Sequence, residues 1–125
     1  MSQENVRVVR EIHHLWNSRK PANDLIDPDF EYVNPPNAVE PGTLRGRTSL
    51  RKVLDVYPDY HIQVERVHDA GENVVVVGLA RGKGKSGVAI EERQGFVWTM
   101  HDGRAVMLRW FNDPTEALKA VGLAQ

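Results

Sequence analysis

From Asn73 to Phe111 the apolar positions show first a continuous run without a helical period and then two-residue alternation, and the stretch predicts three consecutive strands of one antiparallel sheet. Val74-Val75-Val76-Val77 is a β-branched run. Its continuation from Gly78 to Gly87 is rich in glycine, as suits a strand that bends or lets a ligand approach. Between Glu91 and Met100 the alternation puts Glu92, Gln94, Phe96 and Trp98 on one face and Glu91, Arg93, Val97 and Thr99 on the other. His101-Asp102-Gly103 then predicts a tight hairpin, with Asp-Gly supplying the positive φ. The strand from Arg104 to Phe111 places Val106, Leu108 and Trp110 on one face and Met107, Arg109 and Phe111 on the other. The second half is thus a meander that the first half has to cover.

The first half switches to a helical period. Between Glu4 and Arg19 the apolar residues Val8, Val9, Ile12, Leu15 and Trp16 form one stripe. Lys20-Pro21 ends this helix, and residues 22–26 predict a short second one before Asp27-Pro28-Asp29 breaks it. Phe30 to Asn34 reads as a short strand closed by Pro35-Pro36, and Asn37 to Gly46 as a loop. Thr48 or Ser49 caps a third helix running to about Tyr57, and His61 to Val67 alternates as a strand that turns at Asp69-Ala70-Gly71. At the end, Asp113-Pro114-Thr115-Glu116 combines a cap, a first-turn proline and a glutamate three residues after the cap, which starts a short helix ending near Gly122. This order predicts one α+β domain over residues 1–125: a curved antiparallel or mixed sheet, three N-terminal helices on its concave face and a short C-terminal helix. Such a bent, covered sheet makes a cone whose opening leads to an apolar pocket.

Composition narrows the partners. With Lys+Arg 16 against Asp+Glu 17, the formal net charge of -1 argues against nucleic acid or an anionic membrane as the main partner. Cysteine is absent, which removes disulfides and thiolate metal sites. The polar start, Met1-Ser2-Gln3-Glu4-Asn5, has no signal-peptide core and no run is long enough to span a bilayer, so the expected location is the cytoplasm. His13 and His14 lie at the flank of the helical stripe, His61 at a strand start, His68 near a turn and His101 in the hairpin, so no metal-binding spacing arises. Without a phosphate loop, dinucleotide fingerprint or nucleophile elbow, the expected chemistry is cofactor-free acid–base work.

Asp24-Leu25, Pro28-Asp29-Phe30, Tyr32, Gly46-Arg47, Asp102-Gly103-Arg104 and Phe111-Asn112-Asp113 followed by Glu116-Ala117-Leu118, in this order of elements, resemble the SnoaL-like branch of the nuclear transport factor 2-like superfamily. The resemblance covers nearly the whole chain. It implies a ketosteroid isomerase-like cone, an NTF2-like barrel, and commonly a homodimer through the sheet. Because the superfamily holds isomerases, polyketide cyclases, epoxide hydrolases, dehydratases and binding proteins, the fold does not fix the function. Tyr32-Val33-Asn34 resembles the Tyr-x-Asn of its epoxide hydrolases, but Arg81-Gly82-Lys83 stands where their Arg-x-Asp is expected and Trp110 where their final Asp is. Both proton-transfer groups of that mechanism are therefore missing. The isomerases use a carboxylate on an early strand, where Glu31 has the wrong parity to share a pocket with Tyr32 and Asn34. The cyclases use an acid on a late strand, where Glu91 and Glu92 stand.

Glu92 shares its face with Gln94, Phe96 and Trp98: it either stands among aromatics, where desolvation raises its pKa, or sits solvated at the sheet rim. Tyr32 and Asn34 offer a hydroxyl and an amide to orient a carbonyl, hydroxyl or water, the alternative being a Tyr packed in the core. Trp16, Trp98 and Trp110 are candidate walls of an apolar site, with Gln94, Phe96 and Leu108 beside them. Arg81, Lys83 and Lys85 share one face: either they select an anion from within, or glycines 82 and 84 face inward and the cations are solvated. Two readings follow. One is an isomerase- or cyclase-like catalyst acting on a small apolar molecule, with Glu92 as base or acid. The other is a non-catalytic binding or dimeric scaffold module. The dimer is expected on the sheet face bearing Val97, Thr99, Met107 and Arg109.

Overall fold

Val8, Val9, Ile12 and Trp16 are all buried along one side of the first helix, α1 (Ser2–Asn17), as the periodicity requires. The computed structural model describes every residue except Met1, Asn37, 39–41, Lys85, Ser86, Val88, Ala124 and Gln125, and the side chains of Ser2 and Val56 are also left undescribed. Six strands follow α1: β1 (Ile26–Asn34), β2 (Gly42–Arg45), β3 (His61–Ala70), β4 (Asn73–Lys83), β5 (Ala89–His101) and β6 (Arg104–Phe111). They form one sheet in the order β2-β1-β6-β5-β4-β3. All neighbours are antiparallel except β1 and β6, so the sheet is mixed. None of the described helices is long and apolar enough to cross a membrane.

The meander matches its alternation, and the hairpin after β5 has positive φ at both Asp102 (51°) and Gly103 (78°), as a type I′ turn needs. One bulge alters the pattern. Between Thr99 and Met100 the β5–β6 register slips, so that Val106 is the extra residue and the fully buried Ala105 takes its inner place.

The first half departs further from its reading. The second helix is only a 3-10 turn at Asn23–Leu25, and β1 begins at Ile26, running through the Asp27-Pro28-Asp29 expected to end that helix ahead of the strand. Asp27 Oδ1 accepts the Asp29 N–H at 2.8 Å, and the β1–β6 register shifts between Ile26 and Glu31, which accommodates a proline that cannot donate to a ladder. Part of the expected loop is β2, paired with β1 from Glu31↔Arg45 to Asn34↔Gly42. The third helix splits into a 3-10 turn (Arg47–Arg51) and α2 (Lys52–Val56). Its cap is neither Thr48 nor Ser49 but Gly46, at φ 97°, and the Ser49 hydroxyl donates back to the Gly46 carbonyl at 2.7 Å. β3 continues past Val67 to Ala70, and Asp69 Oδ1 accepts the Gly71 N–H in the turn that follows.

Two apolar clusters lie on opposite faces of the sheet. The larger joins the α1 stripe to Phe30, Tyr32, Ile62, Val74, Val76, Phe96, Trp98 and Leu108; this is called the inner face below. The smaller joins Val75 and Val97 to Ala117 of α3 (Pro114–Ala120), so the last helix covers the outer face. Asp113 caps α3 by accepting the Thr115 N–H at 2.9 Å. Gly95 makes the docking possible, because a side chain there would run into Ala117 and Pro114. Val97 is consequently fully buried under α3, which corrects its place in the uncovered face: only Thr99, Met107 and Arg109 of that set are half-buried.

Candidate functional site

Parity along β5 carries Gln94, Phe96 and Trp98 to the inner face, where they are 3%, 1% and 0% exposed. Around Trp98 gathers a cluster of rings. His13 meets it edge-on at 5.4 Å between centroids, Trp16 lies 6.4 Å away at 89°, and Phe30 6.1 Å away. The Trp98 indole N–H donates to His13 Nε2 at 3.0 Å, and the Trp16 N–H to the Leu50 carbonyl at 3.0 Å. Since Nε2 accepts, the proton of the neutral imidazole resides on Nδ1, which is buried and has no partner among the described residues. Burial pushes the His13 pKa down to about 3, so the ring is neutral at ordinary pH.

A polar group borders the rings on the same face. Tyr32 and Tyr60 are 6% and 5% exposed, and burial raises both phenol pKa values well above the usual range. Neighbouring Tyr32 and Glu92 raise that of Tyr60 further, so the three groups stand within electrostatic reach of one another. Gln94 Nε2 donates to Glu92 Oε1 at 3.3 Å, and Glu92 is half-buried, between the two alternatives of aromatic burial and full solvation.

Asn34 accepts the Trp110 indole N–H at 2.7 Å, and this pair lines a cavity of about 380 Å³ shared with Arg109, Phe111 and Glu116. Trp16 lines a separate cavity of about 420 Å³ beside α2. Trp98 and Leu108 line neither, being wholly buried. The structure therefore brings together Glu92, Gln94, Phe96, Trp98, Tyr32 and one edge of Trp16, while Asn34 and Trp110 stand at the strand ends.

Gly78 and Gly82 do face inward, yet the space beside them is already filled: a side chain at Gly78 would strike Ile62, and one at Gly82 would meet Tyr57 and Tyr60. They make room for packing rather than for a ligand. Arg81 pairs with Glu91 at 3.5 Å and Lys83 is exposed, while Lys85 lies outside the described residues. Glu31 faces away from Tyr32 and pairs with Arg45 at 3.5 Å. Among the described residues no group of three or more potential ligands is arranged to hold a metal ion.

Sequence reasoning missed Tyr60, and it placed His13 at the flank of the helical stripe, whereas the ring is fully inside it. Both carried a signal: positions 9, 12, 13 and 16 make one helical stripe, and Tyr60 has the parity of Ile62, buried at 1%.

The fold is that of the NTF2-like proteins. One similar structure is an NTF2-like protein of unknown function from Burkholderia pseudomallei, 22% identical, with a TM-score of 0.76 over 95% of this chain and 98% of that one. Another is a putative SnoaL-like polyketide cyclase from a Jannaschia species, 18% identical, with a TM-score of 0.74 over 99% and 95%. A third, from Catenulispora acidiphila, has a ketosteroid isomerase-like fold in complex with trimethylamine and is 16% identical, with a TM-score of 0.71 over 93% and 92%. Residues 9–108 match the profile of the SnoaL-like domain, and the chain belongs to that family. No curated protein matches the sequence.

Proposed function

We propose that this protein binds a small, largely apolar molecule with a carbonyl or hydroxyl group inside a cone formed by the inner face and the N-terminal helices, and moves a proton on it without a cofactor. The observation that carries this reading is the grouping of two largely buried phenols, Tyr32 and Tyr60, with one carboxylate, Glu92. A phenol hydroxyl on this face can donate to a ligand oxygen. With their pKa values raised, Tyr32 and Tyr60 stay protonated and donate to that oxygen. Glu92 takes a proton from the adjacent carbon as charge develops on the oxygen, and returns it to another carbon of the conjugated system, which is an isomerisation. Epoxide hydrolysis is disfavoured because Arg81 and Lys83 leave no inward acid–base pair.

A passive binding or scaffold role is the second reading, favoured by the half-exposed position of Glu92. Thermal-shift measurements with enones, ketones and epoxides at several pH values separate the two. Enones or ketones are expected to stabilise the wild type in a pH-dependent way that disappears in Glu92→Gln. A stabilisation of the variant that follows pH just as that of the wild type does would establish the passive pocket instead.

We also propose a homodimer through the part of the outer face that α3 leaves open, where Glu31, Val33, Met107 and Arg109 are half-buried. Arg109 Nε is buried without a partner among the described residues. Equilibrium sedimentation at micromolar concentration is expected to give the dimer mass, and a monomer mass would remove this proposal.

A further inference from the structure

The cavity beside Trp16 has a character unlike that of the phenol–carboxylate group, none of whose members lines it. Its walls come from the C-terminal end of α1, the two 3-10 turns and α2. Ile12, Trp16, Ile26, Leu50 and Leu54 give it an apolar floor, and its volume of about 420 Å³ falls within the range of small-molecule sites, roughly 300–1,000 Å³. Arg19, Lys20, Arg47 and Arg51 surround it, against Asp55 as its one acidic lining residue. None of these four cations is in an ion pair among the described residues. In a chain whose formal charge is -1, four cations against one carboxylate make a local positive focus.

Two of these cations are held in place. Arg47 is half-buried, and its Nε donates to the Ile26 carbonyl at 2.9 Å, which leaves its terminal nitrogens to a ligand. Arg19 is tied to the Asn17 and Pro58 carbonyls at 3.0 and 2.9 Å and so fixes the rim. A planar guanidinium anchored through Nε is suited to a carboxylate, which it grips with paired hydrogen bonds.

We propose that this cavity is a second binding site, specific for a small free organic carboxylate with a hydrocarbon body: the body lies on Trp16 and Leu50, and the carboxylate on Arg47 and Arg51. An apolar floor alone would accept an alcohol equally well, and a cationic rim alone would accept inorganic phosphate. Only an amphipathic anion uses both.

Calorimetric titration of the whole chain with octanoate below its micelle concentration, 1-octanol and inorganic phosphate tests this. Octanoate is expected to bind at least about tenfold more tightly than either of the others, since a hydrogen bond to a charged group is involved. Arg51→Gln changes an exposed residue and should weaken octanoate about tenfold while leaving octanol as it was. Leu54→Trp fills the cavity and should abolish both. Glu92→Gln should bind octanoate like the wild type, so the outcome is independent of the proton-transfer proposal. No octanoate binding, equal binding of octanol or phosphate, or an unchanged affinity in Arg51→Gln would each overturn the proposal.

Discussion

Acidification from pH 7 to pH 5 is expected to lower the folding stability of this protein by about 2 kcal/mol through His13 alone. The imidazole is 1% exposed, enclosed by Trp16, Phe96 and Trp98, and burial holds its folded-state pKa near 3 against 6.5 in the unfolded chain. Below pH 6.5 the unfolded chain therefore binds a proton that the folded chain refuses. Stability is present above 6.5 and is lost progressively as pH falls towards 3. Protonation would also turn Nε2 into a donor facing the Trp98 N–H, which now donates to it at 3.0 Å, so the hydrogen bond and the aromatic packing would fail together. Urea unfolding at pH 7 and pH 5 should show the loss in the wild type and a much flatter dependence in His13→Gln. The His13 ring resonances of the folded wild type should not titrate between pH 7.5 and pH 5. Titration near pH 6.5 would contradict the assignment even if the variant failed to fold.

The largest effect on activity is expected at Glu92. A positioned general base contributes roughly 10²–10⁴-fold to rate, and Glu92→Gln should remove a factor of that order while leaving ligand binding nearly unchanged. Tyr60→Phe should cost about 10²-fold, the usual scale for the loss of one oxyanion donor. The amide of Gln at position 92 can still bond to Gln94, so the local packing has a way to persist. A similar loss in ligand affinity as in rate would instead mark these residues as binding groups.

The sheet could be read where its alternation was regular. β6 has the residues predicted, Arg104 to Phe111, and the parity of β5 put Gln94, Phe96 and Trp98 on the face where they are buried. The family resemblance was legible as well, because Asp102-Gly103-Arg104 and Asp113 to Leu118 are local turn and cap chemistry. What escaped was set by long-range structure. β2 is four residues long and mostly exposed, held by its ladder to β1, and so carries no apolar period. The start of β1 was hidden by Asp27-Pro28-Asp29, whose strong local signal is overridden by pairing with β6. Val106 lost its expected orientation to a bulge, and Val97 its exposure to a helix that returns from the far end of the chain.

In the candidate site, strand parity set Glu92 beside Gln94, Phe96 and Trp98, and Tyr32 was named with them, but Tyr60 was not. Tyr60 reaches Glu92 and Tyr32 only because β3 and β1 curve round the same helix-covered face. His13 was passed over because histidine is usually read for charge or metal, and here it is a neutral acceptor for an indole. The glycines of β4 were read either as a bend or as space for a ligand, and Ile62, Tyr57 and Tyr60 occupy that space.

Proton transfer on the inner face is tested most directly by following deuterium incorporation from D₂O next to the carbonyl of cyclic ketones and enones by NMR, with the wild type, Glu92→Gln and Tyr60→Phe. The account predicts exchange well above the buffer rate in the wild type, slowed in Tyr60→Phe and reduced to near the buffer rate in Glu92→Gln. Exchange at the buffer rate with the wild type, or exchange that survives intact in Glu92→Gln, would contradict it.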